Sequence, residues 1–447
     1  MTLPAEARER YLGAFERVAA DGSRTPGWLR RLREEAKDRF LSAGFPGVKD
    51  EDWKYTSVAG IEERKFEIAP AGEGGLTPPD AAEGIPADAA GNVLVFENGR
   101  YRADLSVRRP LPPGVHLVSL SEAFSGGGDG LVPYLSPFPV NSFVDLNTML
   151  MEDGVFLHVG KGVDVPEPVR LLFLASGGSR QVMAHPRNVI VAEEGSRLTV
   201  VERYAGRSDA GCLVNAVTGI AAGAAAAVVH YRIQEDGPDA YHFASLHVRQ
   251  GAGSRFAAHS VSLGGRLSRS DVHAVLDGEG AECLLNGLYL GTGEQHVDHF
   301  TTIDHAKPGG SSREYYRGIL DGRSRGVFRG RVVVRKDAQK TDARQENRNL
   351  LLSREAEADT RPQLEIHADD VKCTHGATVG PLDEEKVFYM RSRGIDESSA
   401  RGLLAYAFAA GILRGFDLPD VRRTFEEKLL AWLPDAGRIR EFLHEPE

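Results

Sequence analysis

The sequence is poor in cysteine, the residue with which small secreted proteins build disulfide frameworks. Its 447 residues include only three cysteines, Cys212, Cys283 and Cys373, which lie far apart and form no CxxC pair. This usage excludes a disulfide scaffold and favours a reducing compartment, which we expect to be the cytoplasm. The N-terminal residues lack the apolar run of a signal peptide, and no stretch approaches the ~20 apolar residues of a membrane helix.

An excess of positive charge is also absent. The formal net charge is −10, which argues against general nucleic-acid binding and predicts no nucleic-acid partner. The phosphate-binding pattern GxxxxGK[ST] and the zinc-hydrolase pattern HExxH are both missing. The sequence therefore offers no nucleotide-hydrolysing or zinc-hydrolase motif of its own.

Glycine, by contrast, is abundant, with 50 residues that predict many turns. From about residue 154 onward, short β-like runs alternate with glycine-containing turns. Successive runs follow glycines at intervals of 28, 30, 27 and 30 residues: Gly195, Gly223, Gly253, Gly280 and Gly310. Because a flat sandwich need not keep such a period whereas a solenoid does, the spacing predicts a β-solenoid with two or more short strands per turn.

Helical patterns flank this region and predict four parts in a mainly β protein. An N-terminal helical region spans 1–66, and a linker and mixed α/β lead-in spans 67–153. The β-helix core spans 154–382, and a C-terminal helical region spans 383–447. Within the lead-in, residues 68–90 are rich in Pro, Gly and Ala, and Asn98-Gly99 predicts a hairpin.

Two hydrophobic stripes mark the C-terminal helices. They consist of Ala405, Phe408, Ala409 and Ile412, and of Val421, Phe425, Leu429 and Trp432. We expect these helices to pack partly on one another. The remaining apolar face either docks a partner protein or packs on the end of the solenoid or another domain. Near the N-terminus, Trp53 and Tyr55 are expected to hold the loop at 44–58 down as a hydrophobic plug.

The stretch DVKCTHGATVG at 370–380 carries the strongest candidate chemistry. In a strand, Cys373 and His375 leave the same face, with Cα atoms about 6.6 Å apart. Thiolate and imidazole are ligands that iron and zinc accept, but two protein ligands do not close a tetrahedral site. The pair is therefore either a packing feature or one part of a metal site, with His375 the firmer ligand, whose other ligands come from elsewhere.

Two other polar segments offer weaker candidates. In HVDHFTTIDH, His296 and His299 face opposite ways in a strand, so we expect polar ladders or an interface there rather than one metal site. In KTDARQENRNLLLS at 340–353, Asn347, Arg348 and Asn349 predict hydrogen-bonded ladders across solenoid turns.

Several segments resemble one family closely: GFPGVKDEDWKYTSV at 44–58, the block at 340–380 and FYMRSRGI at 388–395, with weaker similarity at 296–312 and 328–343. The chain is similar to the SufB/SufD family of iron–sulfur cluster assembly proteins, and its CTHGATVG stretch is similar to the SufD branch. The resemblance covers essentially the whole chain.

The resemblance implies a right-handed parallel β-helix flanked by helical regions. It also implies a non-catalytic scaffold subunit that pairs with SufB and whose C-terminal helices dock the ATPase SufC, where ATP would be hydrolysed. A transient iron–sulfur cluster would form at the SufB–SufD interface, near His375 and the neighbouring Cys373, with no cofactor held tightly by this chain alone. Movement of the docked helices when SufC binds ATP would open that interface.

Other interpretations stay open at this point. The chain is alternatively a SufB-type paralogue or a homodimeric member of the family. A remoter alternative is a carbohydrate-active β-helix enzyme, whose groove of paired acids the sequence does not indicate, because Asp369-Asp370 and Glu384-Glu385 are adjacent pairs that point apart in strands.

Overall fold

A computed structural model shows how these segments are arranged. It describes residues 3–20, 25–70, 75–83, 85, 89–135, 141–206, 210–433 and 435–444. The predicted linker at 68–90 lies partly outside these described residues.

Helices occur at both ends of the described chain and in the lead-in. The α-helices, α1 to α11, are Ala5–Ala20, Gly27–Ala43, Ala59–Glu62, Pro78–Glu83, Leu120–Ser125, Val132–Leu135, Ser142–Leu150, Glu384–Ser392, Glu397–Leu413, Pro419–Trp432 and Ala436–His444. Short 3-10 helices lie at Glu51–Trp53, Ala103–Leu105 and Asp129–Leu131.

Strands occupy most of the middle of the chain. They are, from β1 to β21, Glu67–Ile68, Val93–Glu97, Arg100–Tyr101, Val115–Ser119, Gly154–Val159, Val169–Ala175, Val182–Ala184, Arg187–Ala192, Arg197–Gly206, Cys212–Ala222, Ala227–Glu235, Tyr241–Gln250, Arg255–Ser262, Leu267–Leu276, Glu282–Gly291, His296–His305, Ser311–Leu320, Arg325–Val334, Asp342–Leu351, Glu357–Ile366 and Lys372–Pro381.

The strands form two parallel sheets that share one core, which confirms the predicted β-solenoid. From β8 onward, even-numbered strands pair in sheet A and odd-numbered strands in sheet B, so successive strands alternate between the two sheets. Successive turns are offset by 26 to 32 residues, as in Tyr241↔Leu267 and Arg325↔Glu357. The lead-in contributes β4 to sheet A, and it adds to sheet B the hairpin β2–β3, whose turn at Asn98 and Gly99 has positive φ as predicted.

The glycine period reflects one stacked column of turn residues with positive φ, because a left-handed residue precedes each strand of sheet B from β9 to β19. Gly195, Gly253 and Gly280 belong to this column. The two other glycines of the predicted series do not. Ala225 (φ 54°) stands in place of Gly223, and Gly309 in place of Gly310. The predicted period is therefore correct although two of the five predicted glycines lie outside the column. Spacing alone does not show which residue of a turn has positive φ.

Hydrophobic residues form layers on both sides of each sheet. The largest cluster fills the space between the sheets, which we call the lumen. A second cluster joins α1, α2 and α7 to the outer face of sheet A. There Trp53 stacks on Phe143 at a centroid distance of 5.2 Å, and Cζ of Arg269 lies 3.7 Å from the Trp53 ring centroid. The predicted plug is confirmed for Trp53, whereas Tyr55 is only half-buried.

The C-terminal helices cover the outer face of sheet B. The buried residues of both predicted stripes, among them Ala405, Ile412 and Phe425, pack against Leu288 and Ile319 of the sheet. The stripes therefore bury themselves on the side of the solenoid and do not form a free docking face. The pattern alone could not reveal this, because a helix pattern shows that a face is apolar and not what covers it.

Candidate functional site

The solenoid is open at its last turn, which consists of β20 and β21. These strands end the order of sheets A and B, so each has one edge without a strand partner among the described residues. No residue of either strand is buried, whereas β19 alternates regularly between buried and exposed positions. The last turn therefore presents two strand edges and one mouth of the lumen to solvent.

Cys373 and His375 lie on the lumen side of this open turn. Their register partners are Ala343 and Gln345 of β19, both buried inside the solenoid. Because parallel strands in register place partner side chains on the same face, the pair continues an inward-facing column. Cys373 is half-buried and packs against the lumen cluster, while His375 is exposed at the mouth.

Burial distinguishes the three cysteines. Cys212 and Cys283 are fully enclosed, and burial raises the pKa of both thiols well above the usual range. The pKa of Cys373 is also raised by partial burial, so its thiol is protonated at neutral pH. Only Cys373 is accessible, and metal binding there would have to displace its proton.

Cys373 and His375 do not form a metal site by themselves. No group of three or more His, Cys, Asp or Glu side chains that could hold a metal ion occurs among the described residues. Cys373 and His375 can therefore serve as ligands only together with groups from outside the described part of the chain.

The histidine-rich strand β16 forms polar contacts, as predicted. His296 faces outward, with Nε2 2.9 Å from Oγ1 of Thr56, and Asp298 accepts from the same hydroxyl. His299 faces the lumen between the rings of Tyr289 and Tyr316. The predicted alternation is confirmed, and it separates His296 from His299.

The predicted asparagine ladder is confirmed for two of its three residues. Asn347 Nδ2 donates to the main-chain oxygen of Tyr316 at 3.3 Å, and Asn349 Nδ2 donates to Asn347 Oδ1 at 2.7 Å. The prediction was wrong for Arg348, which does not belong to the ladder. Because its position alternates with those of Asn347 and Asn349, it faces outward. There it pairs with Glu346 of the same strand at 2.7 Å.

An exposed aromatic pair lies next to the open turn. Phe388 and Tyr389 of α8 are 73% and 59% exposed, the two highest values among the exposed large hydrophobic residues. α8 begins at Glu384, shortly after β21 ends at Pro381. Between them, Leu382 is buried against the C-terminal helices, and Asp383 caps α8 by accepting from the main-chain N–H groups of Glu385 and Lys386.

Comparison with protein families identifies this architecture. Residues 6–171 match the model of the SufBD protein N-terminal region, and residues 173–408 match the SufBD core domain of SUF system FeS cluster assembly. The chain belongs to the SufBD family of iron–sulfur cluster assembly proteins.

Individual relatives match over nearly the whole chain. An iron–sulfur cluster assembly SufBD family protein of Synechocystis is 33% identical over 91% of this chain and 91% of its own. The iron–sulfur cluster assembly protein SufD of Escherichia coli is 33% identical over 90% of this chain and 92% of its own. SufD of Bacillus subtilis is 24% identical over 93% and 95%. The chain is thus close to SufD proteins.

Two features of the site were missed by sequence reasoning. The polar column behind His375, formed by Gln345 and Glu314, was not singled out, although the alternation of Ala343, Gln345, Asn347 and Asn349 was a usable signal. The exposed pair in α8 lies within the segment FYMRSRGI, whose pattern alone does not indicate a binding surface. In addition, no described helix is both long enough and apolar enough to cross a bilayer.

Proposed function

We propose that this chain is a SufD-type scaffold subunit that pairs with SufB, binds the ATPase SufC and helps to assemble a nascent iron–sulfur cluster. The observation that carries the proposal is the position of Cys373 and His375 at the open mouth of the solenoid. A pair of ligands at an uncovered strand edge is what a site shared between two subunits requires.

The open turn supports pairing with SufB. Unpaired strand edges are templates for another chain, and proteins that keep them exposed normally cover them. Ile366 of β20 and Val379 of β21 are 42% and 43% exposed at this end. A partner solenoid with a similar open end would continue both sheets and cover these side chains. A homodimer would use the same edges when SufB is absent.

The ligand set supports a transient cluster. Thiolates hold iron–sulfur clusters, and histidine can replace a thiolate in some of them. In the proposed complex, Cys373 and His375 supply part of the ligand set and SufB supplies the rest. A shared, mixed set is suited to a cluster that is cargo and must leave. We assign no catalytic residue to this chain and place it in the cytoplasm.

The short connection between β21 and α8 supports coupling to SufC. We assign the docking surface to the face of α8 that carries Phe388 and Tyr389, within the C-terminal helical region. Because α8 follows the strand of Cys373 and His375 after two residues, movement of α8 by SufC would be transmitted to that strand. Hydrolysis of ATP belongs to SufC in this proposal, and its motion opens the SufB–SufD interface.

Co-purification with SufB and SufC, followed by anaerobic reconstitution with iron and sulfide, tests the site. We expect His375→Ala to form the complex but to lose most of the iron–sulfur absorbance. Thr374→Ala is the matched control, because Thr374 is exposed on the opposite face of the same strand. Equal absorbance in all three proteins would place the site in SufB alone, and failure of the wild type to form the complex would refute the SufD-type assignment.

A second pair of variants tests the docking surface. Phe388→Ala should weaken SufC binding at least tenfold in calorimetric titration, because exposed aromatic anchors dominate such interfaces. Phe442→Ala is the control, since Phe442 is an exposed aromatic residue of α11, away from the strand that carries the site. If Phe442→Ala weakens binding and Phe388→Ala does not, SufC docks elsewhere in the C-terminal region.

A further inference from the structure

We infer that Gln345 is a positioning residue for His375. The structure draws no bond between the two side chains, but rotation of the exposed imidazole toward the unpartnered side-chain oxygen of Gln345 lets one ring N–H donate to it, which holds the imidazole in a single tautomer. The other ring nitrogen then faces the open mouth with its lone pair available. What that nitrogen binds rests on the proposed function, but the hydrogen bond itself does not.

The three side chains of one column carry the inference. Glu314 of β17, Gln345 of β19 and His375 of β21 are consecutive register partners in sheet B. Neighbouring strands lie about 4.8 Å apart, so Gln345 has a carboxylate on one side and an imidazole on the other. The column runs from the closed lumen to the mouth.

The amide of Gln345 is oriented by its inner neighbour. Nε2 of Gln345 donates to Oε2 of Glu314 at 2.6 Å. An ionised carboxylate only accepts, and with its pKa raised by burial to about 7, Glu314 is mostly ionised at the pH of about 8 used in the test below, so the amide nitrogen faces Glu314 there. The amide oxygen then points away from Glu314, and on that side of the column the next strand is β21 with His375.

The amide oxygen still needs a donor. Gln345 is 1% exposed, and its Oε1 has no hydrogen-bond partner among the described residues. A buried amide oxygen left without a donor is costly, which favours a nearby N–H group. The ring N–H of His375 is a donor at the right register.

The space that the Gln345 amide occupies depends on a glycine in the facing sheet. A Cβ atom at Gly330 of β18 would lie 2.2 Å from Nε2 of Gln345 and 2.8 Å from its Cδ. Glycine at this position therefore makes room for the Gln345 side chain across the lumen. Any larger residue at 330 would displace the amide from the column.

Fixing the tautomer has a chemical consequence. A neutral imidazole has one donor and one acceptor nitrogen, and a metal binds the acceptor. A hydrogen bond from the other nitrogen orients the ring and makes the ligand more basic, and loss of such a partner typically costs 10- to 100-fold in metal affinity.

One competing donor lies across the lumen. Thr360 of β20 has a buried hydroxyl that also lacks a partner among the described residues. If Thr360 donates to Gln345, the amide oxygen is occupied and cannot position His375. The test must separate these two donors.

Ring ¹⁵N shifts of histidine-labelled full-length protein provide the test. At about pH 8, where an ordinary imidazole is neutral, the signals of His375 are assigned by their loss in His375→Ala. We expect wild type and Thr360→Val to show two well-separated nitrogen shifts, as a single tautomer does. Gln345→Leu should bring the shifts together, as for a mixture of tautomers.

Further variants guard against misfolding. Gly330→Ala retains every donor and acceptor but displaces the amide, and it should reproduce the effect of Gln345→Leu. If Gln345→Leu alone does not fold, Glu314→Leu combined with it removes the buried carboxylate left without its partner. Unchanged shifts in the folded variants, or averaged shifts in wild type or Thr360→Val, would overturn the role of Gln345.

The test is independent of cluster assembly, because it is made on the isolated chain. If Gln345→Leu averages the tautomers while His375→Ala reconstitutes normally with SufB and SufC, the positioning contact is established and the proposed ligand role of His375 fails. If Gln345→Leu leaves the tautomers of His375 unchanged while His375→Ala abolishes the cluster, the positioning contact fails and the proposed ligand role of His375 is supported.

Discussion

The closed turns of the solenoid and its last turn share one backbone pattern but differ in what covers them. Val334 of β18 is fully buried, whereas its register partner Ile366 of β20 is 42% exposed. Gln345 of β19 is buried, whereas its register partner His375 of β21 is exposed. The same inward-facing positions therefore build a core where another turn follows and an exposed surface where none does.

The largest expected difference between the two regions concerns packing. Phe328 is fully buried in the lumen, 5.1 Å from the ring of Tyr316. We expect Phe328→Ala to lower the free energy of unfolding by about 3–5 kcal/mol, because it leaves a cavity that cannot collapse. Ile366→Ala in the open turn should cost less than about 1 kcal/mol. Urea unfolding of the isolated chain measures both, and equal losses would show that the last turn is covered.

The buried carboxylate of Glu314 should sharpen the comparison through pH. Burial raises its pKa from 4.5 to about 7, so the folded state holds this proton more tightly than the unfolded state. The neighbouring Cys283 and Tyr316 stay neutral in this range, since burial raises both pKa values. The stability contributed by Glu314 is complete below about pH 4.5 and is lost as pH rises through about 7.

Glu314→Gln removes that loss. We expect the variant to be more stable than wild type by roughly 3 kcal/mol at about pH 8 and nearly equal to it at about pH 4. Urea unfolding at a series of pH values measures the difference. Glu365→Gln, on the exposed strand β20, is the control and should change stability by less than about 0.5 kcal/mol at any pH. A difference between Glu314→Gln and wild type that does not grow with pH would contradict the buried-carboxylate account.

His299 tests the closed lumen from the acid side. Burial lowers its pKa from 6.5 to about 3, and neither ring nitrogen has a hydrogen-bond partner among the described residues. The stability that His299 contributes to the folded state is therefore complete above about pH 6.5 and is lost as pH falls toward 3. We expect wild type to lose about 2 kcal/mol more than His299→Phe between about pH 6.5 and 5. The exposed His367→Phe serves as the control, and its pH profile should follow wild type.

The smallest expected effect concerns the turn column. Ala225 and Lys340 have φ of 54° and 64° where their neighbours in the column are glycines. Ala225→Gly should raise the free energy of unfolding by about 0.5–1 kcal/mol, because a left-handed conformation strains a residue with a Cβ. Lys340→Gly, at the entrance to β19, should gain less, since it also removes the ion pair with Asp370. Thermal melts of both variants measure the difference, and destabilisation by Ala225→Gly would show that no strain is relieved there.

Much of this architecture was predictable from local pattern. The β-runs, their period of about 30 residues, the Asn98-Gly99 hairpin and the C-terminal helices all follow from spacing and turn chemistry, which act over a few residues. The shared face of Cys373 and His375 followed from strand alternation. The faces against which the C-terminal helices pack, and the outward direction of Arg348, did not follow, because both depend on neighbours distant in sequence.

The sequence by itself thus determined the repeat, the strands and the placement of a thiol and an imidazole on one strand face, because these depend on backbone geometry and residue type. Only the tertiary structure decided that this strand is the last in sheet B, that its inward face opens to solvent and that α8 starts directly behind it. It also decided that Glu314, Gln345 and His375 form one column, although 30 or more residues of chain separate each from the next. The physical reason is that a solenoid turns register into proximity: residues one turn apart become neighbours, and only the final turn has no successor to bury it.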